Sequence, residues 1–265
     1  MPEEAIVILL LGATKSGKTN FARRAAGYSY SGKCESMSHI KLPTLLGYLP
    51  VCFGRWRRAA APYYHRADFP KGTTECTEYS VKAHGKEFRL IDTPGLDENP
   101  RLNRGILQKI VVKLDEIRPQ EVGGVIYFHT ISTRLTGPAR SNIDIFEKVC
   151  GEPFLRNALF VTTMWDVVSA PGRGKFLGMA EELERKQLKN LKASGTSFYR
   201  FSNSEEKAKE VLRLYIAILH KSKARLQLGE EVARWGTSPS DVQKTEAGKL
   251  IERQLKRGSS ACIII

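Results

Sequence analysis

The chain lacks the pairings through which cysteine and histidine carry chemistry. Its five cysteines, Cys34, Cys52, Cys76, Cys150 and Cys262, are odd in number and scattered, and no two form a CxxC pair. This excludes a disulfide framework and a zinc ribbon and fits a reducing compartment. The five histidines show no HExxH spacing, so no transition-metal site is expected. A membrane-spanning run is also missing. The apolar stretch at 6–11 follows Glu3 and Glu4, is far too short to cross a bilayer, and has neither the basic flank nor the cleavage site of a signal peptide. It reads as a buried parallel strand of a protein made in the cytosol. Acidic residues are scarce, 28 against 42 Lys and Arg, which leaves a net charge of +14. That excess implies an anionic partner such as phosphate, nucleic acid or an acidic membrane face, or else a merely solvated basic surface.

What is present suits one mid-sized α/β domain with an appendage. The length is 265 residues, and 42% hydrophobic content sustains a core. Short apolar runs at 6–11, 87–91, 122–129, 158–162 and 197–201 alternate with helical patterns. Helices are expected from Lys18 and over 105–117, 142–149, 176–193 and 205–227. This alternation predicts a three-layer α/β/α fold with a mostly parallel sheet and a C-terminal helical extension, and the phosphate-loop motif at 12–19 makes it one of the P-loop NTPase kind. The domain should cover 1–222 and the extension 223–265. A segment at about 36–71 breaks the pattern with four prolines, Arg55-Trp56-Arg57-Arg58 and Tyr63-Tyr64. It reads as a long insertion. Its basic and aromatic residues suit nucleic acid or lipid headgroups, and a segment without periodicity is an equal reading.

The phosphate chemistry is written most clearly. Gly12-Ala13-Thr14-Lys15-Ser16-Gly17-Lys18-Thr19 satisfies GxxxxGK[ST] between an expected strand and an expected helix, with Asn20 following. Glycines allow backbone N–H groups to turn towards phosphate oxygens, Lys18 supplies a point charge, and the Thr19 hydroxyl is a Mg²⁺ ligand. Asp92-Thr93-Pro94-Gly95 ends the strand at 87–91. There Asp92 can hold the Mg²⁺ shell, and the Gly95 N–H can sense a γ-phosphate. Between the motifs lies Thr73-Thr74-Glu75-Cys76-Thr77, from which a switch threonine should close over the metal. Thr73 and Thr77 are favoured, and the sequence does not choose between them.

A guanine reader needs a carboxylate for the ring N1–H and the 2-amino group. The strand at 158–162 leads into Thr163-Met164-Trp165-Asp166, which places Asp166 in that role. Trp165 offers a stacking surface, or else is an ordinary buried indole. One strand later, Asn203 of Phe201-Ser202-Asn203 falls where a last base-contacting loop belongs.

On these residues the chain resembles the AIG1/Toc34-type, GIMAP-like branch of septin-related GTPases, most closely the fungal AIG1-like G-domain proteins. The shared segments are GATKSGKT, LIDTPGLD, GVIYFHTISTRLTG, FEKVCG, TTMWD and RFSN, which span about residues 5–204. The resemblance implies binding of GTP and GDP with Mg²⁺, base contacts from Asp166 and Asn203, and a GTP-dependent homodimer joined across the nucleotide faces. It also implies that Arg134 reaches towards the partner's nucleotide as an arginine finger. The insertion departs from the family pattern. Leu96 stands where Ras-like proteins place a water-orienting glutamine, so slow hydrolysis by the monomer is expected. A septin-like nucleotide-binding scaffold and a P-loop ATPase or kinase are the rival readings, with a nucleic-acid role ranked last.

The chain given ends Cys262-Ile263-Ile264-Ile265, a C-a-a-X pattern in which Cys262 would carry a prenyl group. Upstream, 241–256 reads as a basic amphipathic helix with Val242, Ala247, Leu250, Ile251 and Leu255 on one side. Lipid and basic helix together would hold the protein on the cytosolic face of a membrane.

Overall fold

Strand β1, Ile6–Gly12, is buried from Val7 onwards, and its side chains divide by parity. Val7, Leu9 and Leu11 enter one apolar cluster, whereas Ile8 and Leu10 enter another. A strand buried on both faces requires helices on both, which is why its sequence reads as a continuous apolar run. The computed structural model describes residues 5–28, 72–117, 122–132, 135, 137–168, 172–219 and 223–260. The insertion at 36–71, Arg134 and Cys262 lie outside the described residues.

The other strands are β2 (Thr77–Ala83), β3 (Lys86–Asp92), β4 (Val122–Thr130), β5 (Ala158–Thr163) and β6 (Ser197–Arg200). They form one six-stranded sheet in the order β2-β3-β1-β4-β5-β6. All neighbours are parallel except β2 and β3. The sequence pattern did not reveal β2, which is joined to β3 by His84-Gly85, both at positive φ (53° and 74°) as a tight two-residue hairpin turn requires. Strand order reverses beside β1, and in such sheets ligands bind outside the carboxyl ends of the strands at that point.

Helices α1 (Lys18–Ala25) and α6 (Glu205–Leu219) bury Phe21, Ala22, Val211, Leu212 and Tyr215 against one face of the sheet. Helices α2 (Pro100–Glu116) and α3 (Gly137–Cys150) cover the other. The start of α2 precedes the expected 105. Asn99 caps it by accepting a hydrogen bond from the Arg101 N–H at 3.0 Å, and Pro100 occupies the first turn. The single helix expected at 176–193 is broken into α4 (Arg173–Glu182), a π-turn at Leu183–Gln187 and α5 (Lys189–Ala193). The Leu188 N–H reaches back five residues to the Leu183 carbonyl at 2.9 Å. That wider turn lets Leu183, Leu188 and Leu191 all reach the core, which an unbroken α-helix would not align.

The expected helix at 205–227 ends at Leu219, and three further helices follow: α7 (Gln227–Trp235), α8 (Pro239–Lys244) and α9 (Glu246–Ser260). Ser238 caps α8, its Oγ accepting from the Asp241 N–H at 3.2 Å. The apolar side of the amphipathic tail is buried inside the domain. Val242, Ala247 and Ile251 lie in the same buried cluster as Leu107, Val111 and Phe146, and Leu250 and Leu255 pack against it. Arg104 of α2 pairs with Glu252 of α9 at 3.4 Å, and the Gln108 amide donates to the Thr237 carbonyl. Burial against α2 and α3 satisfies the amphipathic pattern inside the domain. Among the described residues, no helix is long and apolar enough to cross a membrane.

Candidate functional site

The carboxyl ends of β1, β3 and β5 and the loop after β6 bring the motif residues together. Gly12 ends β1 with φ +140°, and a Cβ there would lie 2.4 Å from the Phe128 carbonyl oxygen and 2.9 Å from Ser16 Oγ. Only glycine therefore lets the loop leave β1 so close to β4. The chain passes through Lys15, also at positive φ (64°), and enters α1 from Gly17 at φ 97°. The N–H groups of Lys18 and Thr19 open that helix and have no carbonyl partner within it, which makes them ready phosphate donors.

Lys18 is only 5% exposed and folds over the loop, donating to the Gly12 carbonyl at 3.0 Å and the Ala13 carbonyl at 2.9 Å. Burial lowers its pKa to about 8, while the nearby Asp92 carboxylate pulls in the opposite direction. Asp92, at the end of β3, is fully buried, and burial raises its pKa against the hydroxyl of Thr19 and the charge of Lys18.

Three oxygens meet beside this lysine. Thr19 Oγ1 donates to Asp92 Oδ2 at 2.6 Å. Thr73 Oγ1 lies 2.8 Å from Thr19 Oγ1 and 3.3 Å from Asp92 Oδ2. The other carboxylate oxygen, Asp92 Oδ1, is buried with no hydrogen-bond partner, and so is Ser16 Oγ. Buried polar atoms without partners are costly, and a hard cation coordinated by oxygen would satisfy Asp92. The donor set, two hydroxyls and a carboxylate, fits Mg²⁺ rather than a soft metal. The two candidate threonines differ in position. Thr73 reaches the cluster, whereas Thr77 opens β2 on an exposed position in register with the Asp92 backbone.

The DTPG turn sits directly on the phosphate loop. Leu96 N–H donates to the Gly12 carbonyl at 3.0 Å, and Thr14 N–H donates to the Leu96 carbonyl at 3.1 Å. Thr14 Oγ1 donates to the Gly95 carbonyl at 3.2 Å. A Cβ on Gly95 would come within 2.4 Å of Thr14 Cα, so this contact requires glycine. In this arrangement the Thr14 amide holds the turn. Leu96 is 3% exposed and belongs to the core, so the position after Gly95 offers no group to a water molecule.

At the base-reading end, Asn203 Nδ2 donates to Asp166 Oδ2 at 2.9 Å, and Asn20 Nδ2 donates to Asn203 Oδ1. Met164 and Asn203 both hold left-handed conformations, φ 66° and 60°. Strained non-glycine residues gather at functional sites, and of the four among the described residues, Lys15, Met164 and Asn203 flank this site. Two residues expected at the ligand are also held by bonds within the fold. The Thr163 hydroxyl is buried and donates to the Ser16 carbonyl at 2.8 Å, which props the phosphate loop from behind. Trp165 is 5% exposed and donates through Nε1 to Thr162 Oγ1 at 2.9 Å, with Ile131 and Ala180 around it and the Arg200 guanidinium over its ring. An indole so enclosed has no face left for a base.

The lysine's low pKa gives a signed prediction. The unfolded chain holds the Lys18 proton up to about pH 10.5, whereas the free folded protein begins to lose it at about 8. The unfolded state therefore binds more protons between these values, and the stability of the free protein should rise with pH across that window. A bound phosphate chain would restore the proton. Nucleotide binding near pH 9 should then take up close to one proton and weaken as pH rises further. Calorimetry in two buffers of different ionisation enthalpy measures the uptake, and no uptake would contradict this account of Lys18.

No protein-family model matches the chain, and no curated protein is significantly similar in sequence. Solved structures do match. Toc33 from Arabidopsis thaliana in complex with Mg²⁺ and GMPPNP superposes with a TM-score of 0.50 at 12% identity, covering 84% of this chain and 87% of that one. A structure of the chloroplast translocon components atToc33 and psToc159, for whose GTPase activity dimerization is important, gives 0.50 at 13% identity, covering 84% and 86%. Translation elongation factor SelB from Methanococcus maripaludis, in complex with the GTP analogue GPPNHP, gives 0.47 at 12%, and this chain spans only 35% of it. At such identities the likeness establishes the fold alone, a three-layer α/β/α arrangement of the P-loop NTPase kind.

Proposed function

We propose that this chain binds GTP with Mg²⁺ and hydrolyses it slowly to GDP and phosphate, as a switch completed by dimerisation. The convergence of Thr19, Thr73 and Asp92 oxygens beside Lys18, with Asp92 Oδ1 left unpartnered, carries the reading. Lys18 and the first N–H groups of α1 hold the β- and γ-phosphates, and the Gly95 N–H would sense the γ-phosphate. Thr19, Thr73 and Asp92 would hold Mg²⁺, which when bound offsets the phosphate charge. Asp166 accepts from guanine. In the reaction, water attacks the γ-phosphorus, the bond to the β–γ bridging oxygen breaks, and GDP carries away the electron pair. Negative charge spreads over the transferring group, and an arginine from a partner would stabilise it. Arg134 is our candidate for that finger.

Membrane attachment, as we read it, would rest on prenylation of Cys262 and on the exposed basic residues Arg253, Lys256 and Arg257, since the apolar side of α9 is spent on the core.

Burial of Leu96 favours a second reading, a septin-like scaffold that binds GTP and scarcely turns it over. The turnover rate per protomer, measured with Mg²⁺ over a wide range of protein concentration, separates the two. A switch activated by dimerisation should show a rate that climbs with concentration and saturates, and that Arg134→Ala flattens. Tight binding with negligible turnover at every concentration would sink hydrolysis and leave the scaffold.

A further inference from the structure

The base-reading carboxylate does not stand alone, and the group that holds it comes from the phosphate side of the cleft. We propose that Asn20 is a positioning residue for guanine selectivity, acting through Asn203 on Asp166; the inference rests on the reading that Asp166 contacts guanine. The side-chain chain runs from Asn20 Nδ2 to Asn203 Oδ1 and from Asn203 Nδ2 to Asp166 Oδ2, the latter at 2.9 Å. Its direction is fixed by chemistry. An ionised carboxylate only accepts, so Asn203 must turn its nitrogen to Asp166, which leaves its oxygen facing α1. Only a donor at position 20 satisfies that oxygen and keeps the amide from rotating.

Each member would be loosely held without the others. Asp166 is exposed, and Asn203 occupies a left-handed backbone conformation after the end of β6. Asn20 sits in the first turn of α1, a stiff element anchored by the buried Phe21 and Ala22. A carboxylate has about four acceptor positions, and Asn203 takes one. The rest remain for the N1–H and 2-amino donors of guanine, at an angle set from α1. The same helix supplies Lys18 and Thr19, so one rigid body registers the phosphate and base halves of the ligand.

The test compares GTP with inosine triphosphate (ITP), which lacks only the 2-amino group. Affinities of the full chain for both are measured with Mg²⁺, alongside melting temperatures. Asn20→Ala should reduce the GTP-over-ITP preference by about fivefold, the loss expected when one charge-assisted contact is misdirected. Asn20→Asp should reduce it further, because a carboxylate there repels Asn203 Oδ1. In a double-mutant cycle, Asn20→Ala should add little to the selectivity loss of Asn203→Ala, since both break one path. Equal losses of GTP and ITP affinity, or additive selectivity losses, would overturn the proposal. So would an unchanged preference. If Asn20→Ala does not fold, Asn203→Ala cuts the same path from the loop side, and an unchanged preference there overturns it equally. A wild-type protein without any preference for GTP would instead defeat the underlying assignment of Asp166.

Discussion

Ile251→Asp should destabilise the entire domain by about 3–5 kcal/mol, the usual cost of an unpaired charge forced into a core. Domains of this kind have only about 5–15 kcal/mol to lose, so the variant should melt far below the wild type or accumulate as aggregate. The reason lies in where α9 sits. Ile251 is 1% exposed and shares its cluster with residues of α2, α3 and the sheet. An aspartate there would be cut off from water among apolar side chains. Arg257→Asp, on the exposed side of the same helix, should shift the melting temperature little. Thermal melts of the two variants decide whether the helix belongs to the domain or merely hangs from it. If Ile251→Asp melts with the wild type, the packing described here is wrong, and the helix is free to lie on a membrane.

Lys18→Met should weaken GTP binding by at least about 100-fold while leaving the free protein as stable as before, or slightly more so. The two effects share one cause. Burial opposes the lysine's charge, as its pKa of about 8 records, so the free protein holds that charge at a cost. Its removal strands no hydrogen-bond partner, and the attraction it loses to the buried Asp92 carboxylate offsets part of the gain. The Gly12 carbonyl still accepts from Leu96 N–H and the Ala13 carbonyl from Ser16 N–H. Methionine keeps the apolar stem that packs over the loop. The ligand loses most, since its β- and γ-phosphate oxygens then have no cation from the loop. Melts without nucleotide, paired with a GTP titration, check both halves. A large fall in melting temperature would mean that Lys18 holds the fold, and unchanged affinity would mean that it does not meet phosphate.

These effects bear on how much the sequence disclosed. The phosphate loop and DTPG turn were legible because their chemistry tolerates few residue types at fixed spacing, and they stand at strand ends where the motifs require. Asp166 and Asn203 were legible from order along the chain. Side-chain direction was not. Nothing in the identity of Trp165 says that its ring is enclosed, or that Thr163 turns its hydroxyl to Ser16 rather than to ligand. Thr73 and Thr77 differ only in that β2 begins at the second, and its alternation of Tyr79, Val81 and Ala83 was masked by the expectation of a switch loop. The amphipathic pattern of α9 was plain, but a helical stripe reports that one side is apolar and not what covers it. The five-residue step from Leu183 to Leu188 needed a π-turn, which periodicity at 3.6 residues does not anticipate.

The pocket itself is tested most directly by titrating the purified chain, in Mg²⁺, with GTP and with ATP in parallel. Binding of GTP at micromolar concentration or below, about 100-fold tighter than ATP and weakened when Mg²⁺ is chelated, is the predicted result. No binding of any guanine nucleotide, or equal binding of ATP, would contradict it.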